Sequence, residues 1–256
     1  MRGNLISELM DNMDKVDTGA SQDAESPTRR LPLWKRLLDI SLIVLVSPGL
    51  LLLGLMVALV VRLGSPGPIF FRQRRVGYRG SQFVCYKFRT MKTNAETESH
   101  RLHTQNLIRS QDPMTKLDNR QDPRLVPLGP LLRSCGLDEL PQLLNVLLGE
   151  MSLVGPRPCI PYEYELYEPW HRRRFEAVPG LTGLWQVSGK NHTTFEQMVR
   201  LDIEYAERRN LWLDLRILLR TVPALWGQCC DLRAARRSAP ASPARELGKS
   251  IQSYRL

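Results

Sequence analysis

An uncharged apolar run from Ile40 to Val61 constrains this chain more than any other feature of its sequence. At ~1.5 Å per residue, a helix of this length reaches across a hydrocarbon core of ~30 Å. The run is interrupted at Ser47-Pro48-Gly49, where Pro48 has no N–H to give to the Val44 carbonyl. The sequence therefore predicts a membrane helix that is broken at Ser47 and Pro48.

Basic residues flank this run on both sides, and positive charge marks the cytoplasmic side of a membrane segment. Two topologies fit a membrane helix at 34–62: a re-entrant hairpin that enters and leaves through one leaflet, and a single kinked span. The flanks favour the re-entrant hairpin because a straight span would put one basic cluster on the wrong side. The cluster before the run is Arg29, Arg30, Lys35 and Arg36, and the one after it is Arg62, Arg72, Arg74, Arg75 and Arg79.

The charge of the chain indicates an acidic partner. Its 256 residues carry a formal net charge of +10, which suits nucleic acid, an anionic membrane or a phosphorylated substrate. No nucleic-acid-binding motif is present. The five cysteines form no C-x-x-C pair, which is typical of a reduced, cytoplasmic environment.

Composition divides the chain into four parts. Residues 1–33 are polar and lack apolar periodicity, so we expect a disordered arm before the membrane helix. Residues 63–227 hold the remaining apolar segments and form the expected folded domain. Residues 228–256 return to Arg, Ala, Ser and Pro without period, which predicts a flexible basic tail.

The folded domain is expected to be α/β, mainly α with a small β-hairpin. Strand-like stretches run from Ile69 to Arg75 and from Gln82 to Thr90. Apolar helical periodicity covers Leu137 to Leu148, Phe195 to Arg208 and Leu211 to Trp226. In the last helix Trp212, Arg216 and Arg220 form a stripe, which suits either a membrane–water boundary or ordinary core packing with one solvated edge.

Lys87 and Arg89 are the first candidates for an anion-binding role. If the second stretch is extended, the two-residue period places both cations on one face and Val84, Tyr86 and Phe88 on the other. A solvated sheet face is the alternative interpretation, and spacing alone does not decide between them.

Asp138 and Glu139 are the candidates for chemistry. Pro141 suits the first turn of a helix, which predicts that both carboxylates lie at a helix N-terminus. A carboxylate is ionised at neutral pH, so Asp138 can attack phosphorus without a general base while Mg²⁺ on the neighbouring carboxylate reduces the repulsion between anions. A simple capping pair is the alternative for an isolated Asp-Glu.

A set of motifs in fixed order favours a catalytic role for the Asp-Glu pair over a capping role. The chain resembles the bacterial polyprenyl-phosphate phosphoglycosyl transferases, which initiate exopolysaccharide, O-antigen or glycoprotein glycan assembly. The resemblance covers about three quarters of the chain, from Lys35 to about Trp226. It rests on Gly67-Pro-Ile-Phe-Phe-Arg-Gln-x-Arg-x-Gly77, Tyr86-Lys-Phe-Arg-Thr-Met91, Asp122-Pro-Arg124, Leu137-Asp-Glu-Leu-Pro-Gln142, Ser152-Leu-Val-Gly-Pro-Arg-Pro158 and Pro179-Gly-Leu-Thr-Gly183.

The resemblance implies a monotopic protein of the bacterial inner membrane, with its catalytic domain on the cytoplasmic face. By motif match, Asp138 is the nucleophile and Glu139 a Mg²⁺ ligand. Four cationic side chains are expected to contact phosphate or nucleotide. They are Lys87, Arg89, Arg133 and Arg157. Two motifs depart from the family pattern, Gly149-Glu-Met151 and Ser188-Gly-Lys-Asn191, and Lys190 cannot reproduce a bidentate guanidinium contact.

The resulting hypothesis is an enzyme that moves a sugar-1-phosphate, a hexose-1-phosphate by resemblance, from a UDP-sugar to undecaprenyl phosphate, with a covalent aspartyl intermediate and release of UMP. Its expected partners are these two substrates and membrane lipid, without nucleic acid, and a homodimer stays open. A conventional glycosyltransferase would release UDP instead, but the chain lacks an Asp-x-Asp pair. A membrane-tethered nucleic-acid-binding or scaffold protein is suggested by net charge alone.

Overall fold

The computed structural model describes residues 31–91, 98–110, 112–114, 125–126, 128–189 and 193–237, without the side chains of 98–100 and 228–237. Several sequence-based expectations lie outside these residues. They are the disordered arm up to residue 30, the end of the basic tail, the Asp122-Pro-Arg124 motif, and Lys190 with Asn191.

The apolar run forms one long helix, α1 (Leu33–Gly64), which is long and apolar enough to cross a membrane. The helix continues through Pro48. The Ser47 hydroxyl donates to the Val44 carbonyl at 2.9 Å, so that carbonyl keeps a partner although Pro48 cannot supply one. A broken helix at Ser47 and Pro48 stays a prediction.

Both ends of α1 contact the rest of the protein, while one side of its middle is exposed. Near the start, the Lys35 ammonium contacts the Asp214 carboxylate and the Tyr205 hydroxyl, the latter at 2.9 Å. Near the end, Val57 and Val61 are buried in a cluster with other apolar side chains of the domain. Between them lie exposed apolar residues, among them Leu45, Leu51, Leu52 and Leu55.

The predicted hairpin is confirmed. Strands β1 (Phe70–Val76) and β2 (Gln82–Phe88) pair antiparallel, with Phe70 opposite Phe88 and Val76 opposite Gln82. A single 3-10 turn at Tyr78–Gly80 connects them.

Helix α2 (Glu98–Arg109) follows the hairpin, and the short helices α3 (Gly129–Ser134) and α4 (Gln142–Leu148) come next. Strand β3 (Ser152–Val154) pairs in parallel with β4 (Gly180–Thr182), and α5 (Pro161–Glu165) and a 3-10 segment at His171–Glu176 lie between them in the chain. The described part is therefore mainly helical with two small sheets, as the α/β expectation required in outline.

Helices α6 (Leu184–Val187), α7 (Phe195–Arg208) and α8 (Leu211–Arg237) complete the domain. The predicted bounds of α7 are confirmed, and Thr194 caps it by accepting from the Gln197 amide at 3.3 Å. Helix α8 runs beyond Trp226 to Arg237, so the chain is still helical at the start of the predicted tail.

The stripe on α8 faces outward. Trp212, Arg216 and Arg220 are all exposed, whereas Asp214 and Ile217 on the same helix are buried. This arrangement fits both interpretations of the stripe, because a helix packed on the core through Asp214 and Ile217 has a solvated edge, and exposed indole and guanidinium groups suit a membrane–water boundary.

Asn145 joins helix α4 to strand β2. Its side chain is fully buried, and its amide donates to the Val84 carbonyl and to the Glu150 carboxylate, each at 2.7 Å. Its carbonyl oxygen accepts from the Tyr86 amide at 3.2 Å. The helix that follows the Asp-Glu pair is thereby fixed against the strand that carries Lys87.

Replacing Asn145 with Ala should destabilise the protein by about 2 to 3 kcal/mol, because the truncation leaves buried backbone groups of β2 without partners. The thermal unfolding midpoint in detergent measures this loss. Asn106→Ala, on an exposed position of α2, is the matched control and should change stability by less than about 0.5 kcal/mol. Equal stability of the two variants would contradict the structural role assigned to Asn145.

Candidate active site

Asp138 and Glu139 lie on a 3-10 turn, Leu137–Glu139, between α3 and α4. Gly136 precedes the turn with φ 69°, a left-handed conformation that favours glycine. Pro141 has helical dihedral angles, φ −62° and ψ −17°, and lies directly before Gln142, the first residue of α4, so the Asp-Glu pair precedes a helix N-terminus. The tight turn leaves Asp138 only 7% exposed.

The turn that carries Asp138 and Glu139 packs against α1. Leu137 and Leu140 pack on the cluster that contains Val57 and Val61 of α1. Farther along, Val146 of α4 is buried with Ile43, which lies in the first half of α1. The two carboxylates therefore occupy a segment that contacts both halves of the apolar helix.

Lys87 of β2 forms an ion pair with Glu139, at 2.9 Å from Nζ to Oε1. The two side chains are 16% and 27% exposed, so solvent screens the attraction only in part. The expectation that Lys87 faces a functional site, rather than bulk solvent, fits this contact.

Arg157 lies in the turn that leaves β3. At Gly155 a Cβ atom would lie 2.3 Å from the Val178 carbonyl oxygen, so only glycine fits where the chain passes β4. The Pro158 carbonyl accepts from Arg75 at 3.1 Å, and the Arg157 carbonyl accepts from Arg174 at 3.0 Å. The turn is thus pinned at two consecutive carbonyls.

A cavity of about 450 Å³ brings most of the predicted site residues together. Lys87, Arg133, Asp138, Glu139 and Arg157 all line it. Carboxylates suited to attack or to metal binding therefore share one cavity with cations suited to phosphate.

Arg89 is placed elsewhere. Its guanidinium donates to the carbonyls of Ser65 and Pro66, at 2.6 Å and 2.8 Å, and it does not line the cavity. Strand β2 ends at Phe88, so the two-residue period that put Arg89 on the face of Lys87 stops before it. Its observed contacts hold the turn after α1, and they do not support the expected contact with phosphate.

The apolar side chains that line the cavity are of two kinds. Aliphatic residues include Leu50 of α1, Leu140, Leu143 of α4, and Leu218 and Leu225 of α8. Aromatic residues include Tyr167, Trp185 of α6 and Phe195 of α7. Leu50 belongs to α1, so the cavity adjoins the long apolar helix.

Cys159 also lines the cavity, but its chemistry excludes it as a nucleophile. Burial raises the pKa of the Cys159 thiol to about 12. At neutral pH the thiol is therefore protonated and only weakly nucleophilic. Asp138 and Glu139 remain the better candidates for attack.

The acidic side chains fit one kind of metal site. Within the described ranges, no group of three or more His, Cys, Asp or Glu side chains is close enough to bind a metal ion by itself. Mg²⁺ often takes one or two protein carboxylates and completes its shell with water and substrate phosphate oxygens. Asp138 and Glu139 fit such a shared site better than a closed protein site.

Sequence reasoning missed Arg75 and Arg174, whose guanidinium groups donate to the carbonyls of Pro158 and Arg157. Arg75 is the last arginine of the Gly67–Gly77 motif, so the motif marked it without showing what it contacts. No local signal marks Arg174, because its partners Arg157 and Asp202 are distant in sequence.

Comparison with known proteins finds a matching family model, described as bacterial sugar transferase, over residues 30–228. The exopolysaccharide production protein ExoY of Sinorhizobium fredii is 39% identical over 191 residues, which cover 75% of this chain and 84% of ExoY.

Two further relatives have more specific names. The UDP-glucose:undecaprenyl-phosphate glucose-1-phosphate transferase of Caulobacter vibrioides is 40% identical over 207 residues, 78% of this chain and 72% of that protein. The undecaprenyl-phosphate galactose phosphotransferase of Salmonella typhimurium is 41% identical over 155 residues, 60% of this chain. The match spans only 33% of the length of the Salmonella protein.

Proposed function

The chain belongs to the bacterial sugar transferase family, and we propose that it transfers a sugar-1-phosphate from a UDP-sugar to undecaprenyl phosphate. This would be the first membrane step of an exopolysaccharide or O-antigen-type glycan. One observation carries the proposal: Asp138, Glu139, Lys87, Arg133 and Arg157 line a single cavity that also reaches the apolar helix.

In the first step, a carboxylate oxygen of Asp138 attacks the β-phosphorus of the UDP-sugar. The bond between this phosphorus and the oxygen that bridges it to the α-phosphate breaks, and UMP leaves with that oxygen. The product on the enzyme is an aspartyl phosphosugar. Lys87 and Arg157 are the cations that would balance the negative charge of the phosphates during this exchange.

In the second step, an oxygen of undecaprenyl phosphate attacks the same phosphorus and Asp138 leaves as a carboxylate. The product is an undecaprenyl diphosphate sugar. The aliphatic side chains of Leu50, Leu140 and Leu218 in the cavity suit the first isoprene units of this acceptor. The aromatic side chains of Trp185 and Phe195 in the same cavity suit part of the soluble donor.

We further propose that Glu139, with Asp138 beside it, holds Mg²⁺ shared with the diphosphate. Bound there, the cation lowers the repulsion between the attacking carboxylate and the phosphates. Lys87 contacts Glu139 at 2.9 Å, so its ammonium already partly offsets the charge of the dyad.

The re-entrant topology belongs to the same proposal. Lys35 at the start of α1, and Val57 and Val61 near its end, contact the same domain. A helix that crossed the bilayer would carry one of these ends away from that domain. We therefore place both ends, and the catalytic domain, on the cytoplasmic face of the inner membrane, with the exposed leucines between them in the lipid.

Asp138→Asn should abolish UMP release, because an amide is a poor nucleophile toward phosphorus. We expect a loss of about 10³-fold or more with purified protein, Mg²⁺, undecaprenyl phosphate and a panel of UDP-sugars. Asp112→Asn removes an exposed carboxylate and is the matched control, with an unchanged rate. Release of UDP instead of UMP would contradict phosphosugar transfer, and equal rates for the two variants would remove Asp138 as the nucleophile.

Cysteine labelling tests the topology. Leu33 and Leu63 are 77% and 78% exposed and lie at opposite ends of α1, so each is replaced with Cys in a protein whose native cysteines are changed to Ser. A membrane-impermeant maleimide should label neither position in intact spheroplasts and both in inside-out vesicles. Labelling of one position from the periplasmic side would show a spanning helix.

A further inference from the structure

Two buried arginines hold the Pro-Arg-Pro turn, but only Arg174 forms an ion pair within the described residues. Arg174 is 1% exposed and forms an ion pair with the equally buried Asp202. The charge of this pair is close to neutral, so Arg174 contributes its hydrogen bond to the Arg157 carbonyl and little net potential.

Arg75 is 8% exposed and has neutral partners. Its guanidinium donates to Gln73 Oε1 from Nε and Nη2, at 3.1 Å and 2.7 Å, and to the Pro158 carbonyl from Nη1. In the part of the chain that the structure describes, it forms no ion pair. Burial, and then the neighbouring Arg157, lower the pKa of Arg75, yet an arginine keeps its proton at neutral pH.

Glu163 and Glu139 lie near enough to offset part of the charge of Arg75, but neither forms an ion pair with it, so a buried guanidinium remains that a further anion can compensate. Arg75 lines a small hollow together with Lys87, Glu139, Gln142 and Arg157. Lys87, Glu139 and Arg157 line the main cavity as well. The guanidinium of Arg75 therefore shares a hollow with the residues to which the phosphates are assigned.

We propose that Arg75 is a positioning residue of the phosphate site, with two effects on the bound nucleotide. Its hydrogen bond to the Pro158 carbonyl fixes the turn that presents Arg157 to the cavity. Its unpaired positive charge attracts the phosphates from behind that turn, where solvent screens it weakly. The inference rests on the proposed function, because it takes a nucleoside phosphate as the ligand.

Calorimetric binding of UMP to the full chain in nanodiscs, with Mg²⁺ and at several salt concentrations, tests this role. Arg75→Gln keeps an amide donor for Pro158 but removes the charge, and should weaken UMP binding about tenfold at every salt concentration, because salt screens a buried charge only weakly. Arg75→Lys keeps the charge and should stay within about threefold of the unchanged protein, with the same salt dependence. Arg173→Gln removes an exposed arginine, 55% accessible and paired with Glu207, and should change nothing.

Three results would overturn the inference. The first is wild-type affinity in Arg75→Gln, and the second is an equal loss in Arg75→Lys and Arg75→Gln, which would make the charge irrelevant. If Arg75→Gln fails to fold, Arg75→Lys decides the question, because an affinity more than about threefold below that of the unchanged protein would contradict the role of the charge. No binding of UMP to the unchanged protein would count against the proposed function itself, and this inference would fall with it.

Discussion

The buried contact between Lys35 and Asp214 fixes the first turn of the apolar helix to the last helix of the domain. Burial of an ion pair stabilises a fold only when hydrogen bonds satisfy both partners. Here the Tyr205 hydroxyl accepts from Lys35 at 2.9 Å and donates to Asp214 at 2.8 Å. Val61 contacts the same domain near the other end of the helix. The apolar residues exposed on α1 therefore lie between two ends that are both attached to one domain.

The position of the reactive turn follows from this attachment. The Leu137–Glu139 turn lies against the second half of the apolar helix, and α4 lies against the first half. The cavity beside the turn consequently has charged side chains at the dyad and Leu50 of the membrane helix in its wall. A water-soluble donor and a lipid-anchored acceptor can meet at one phosphorus atom only in a place with both kinds of surface.

Sequence reasoning reached the elements whose information is local. The hairpin and α7 followed from periodicity and turn residues, and the Asp138-Glu139 pair followed from a motif. It failed where distant contacts decide: Arg89 lies beyond the end of β2 and its guanidinium donates to carbonyls of the turn after α1. Arg75 and Arg174 act through carbonyls of a turn that is remote in sequence, which no periodicity reveals.

The proposed mechanism requires a covalent bond between Asp138 and the transferred phosphosugar. This bond can be detected by intact-mass and peptide mass spectrometry of the protein mixed with Mg²⁺ and the UDP-sugar it turns over, without acceptor lipid. We expect a mass increase of one sugar phosphate on the peptide that contains Asp138, which disappears when undecaprenyl phosphate is added. An adduct on another residue would contradict the assigned nucleophile, and turnover with no adduct under rapid quenching would contradict the two-step transfer.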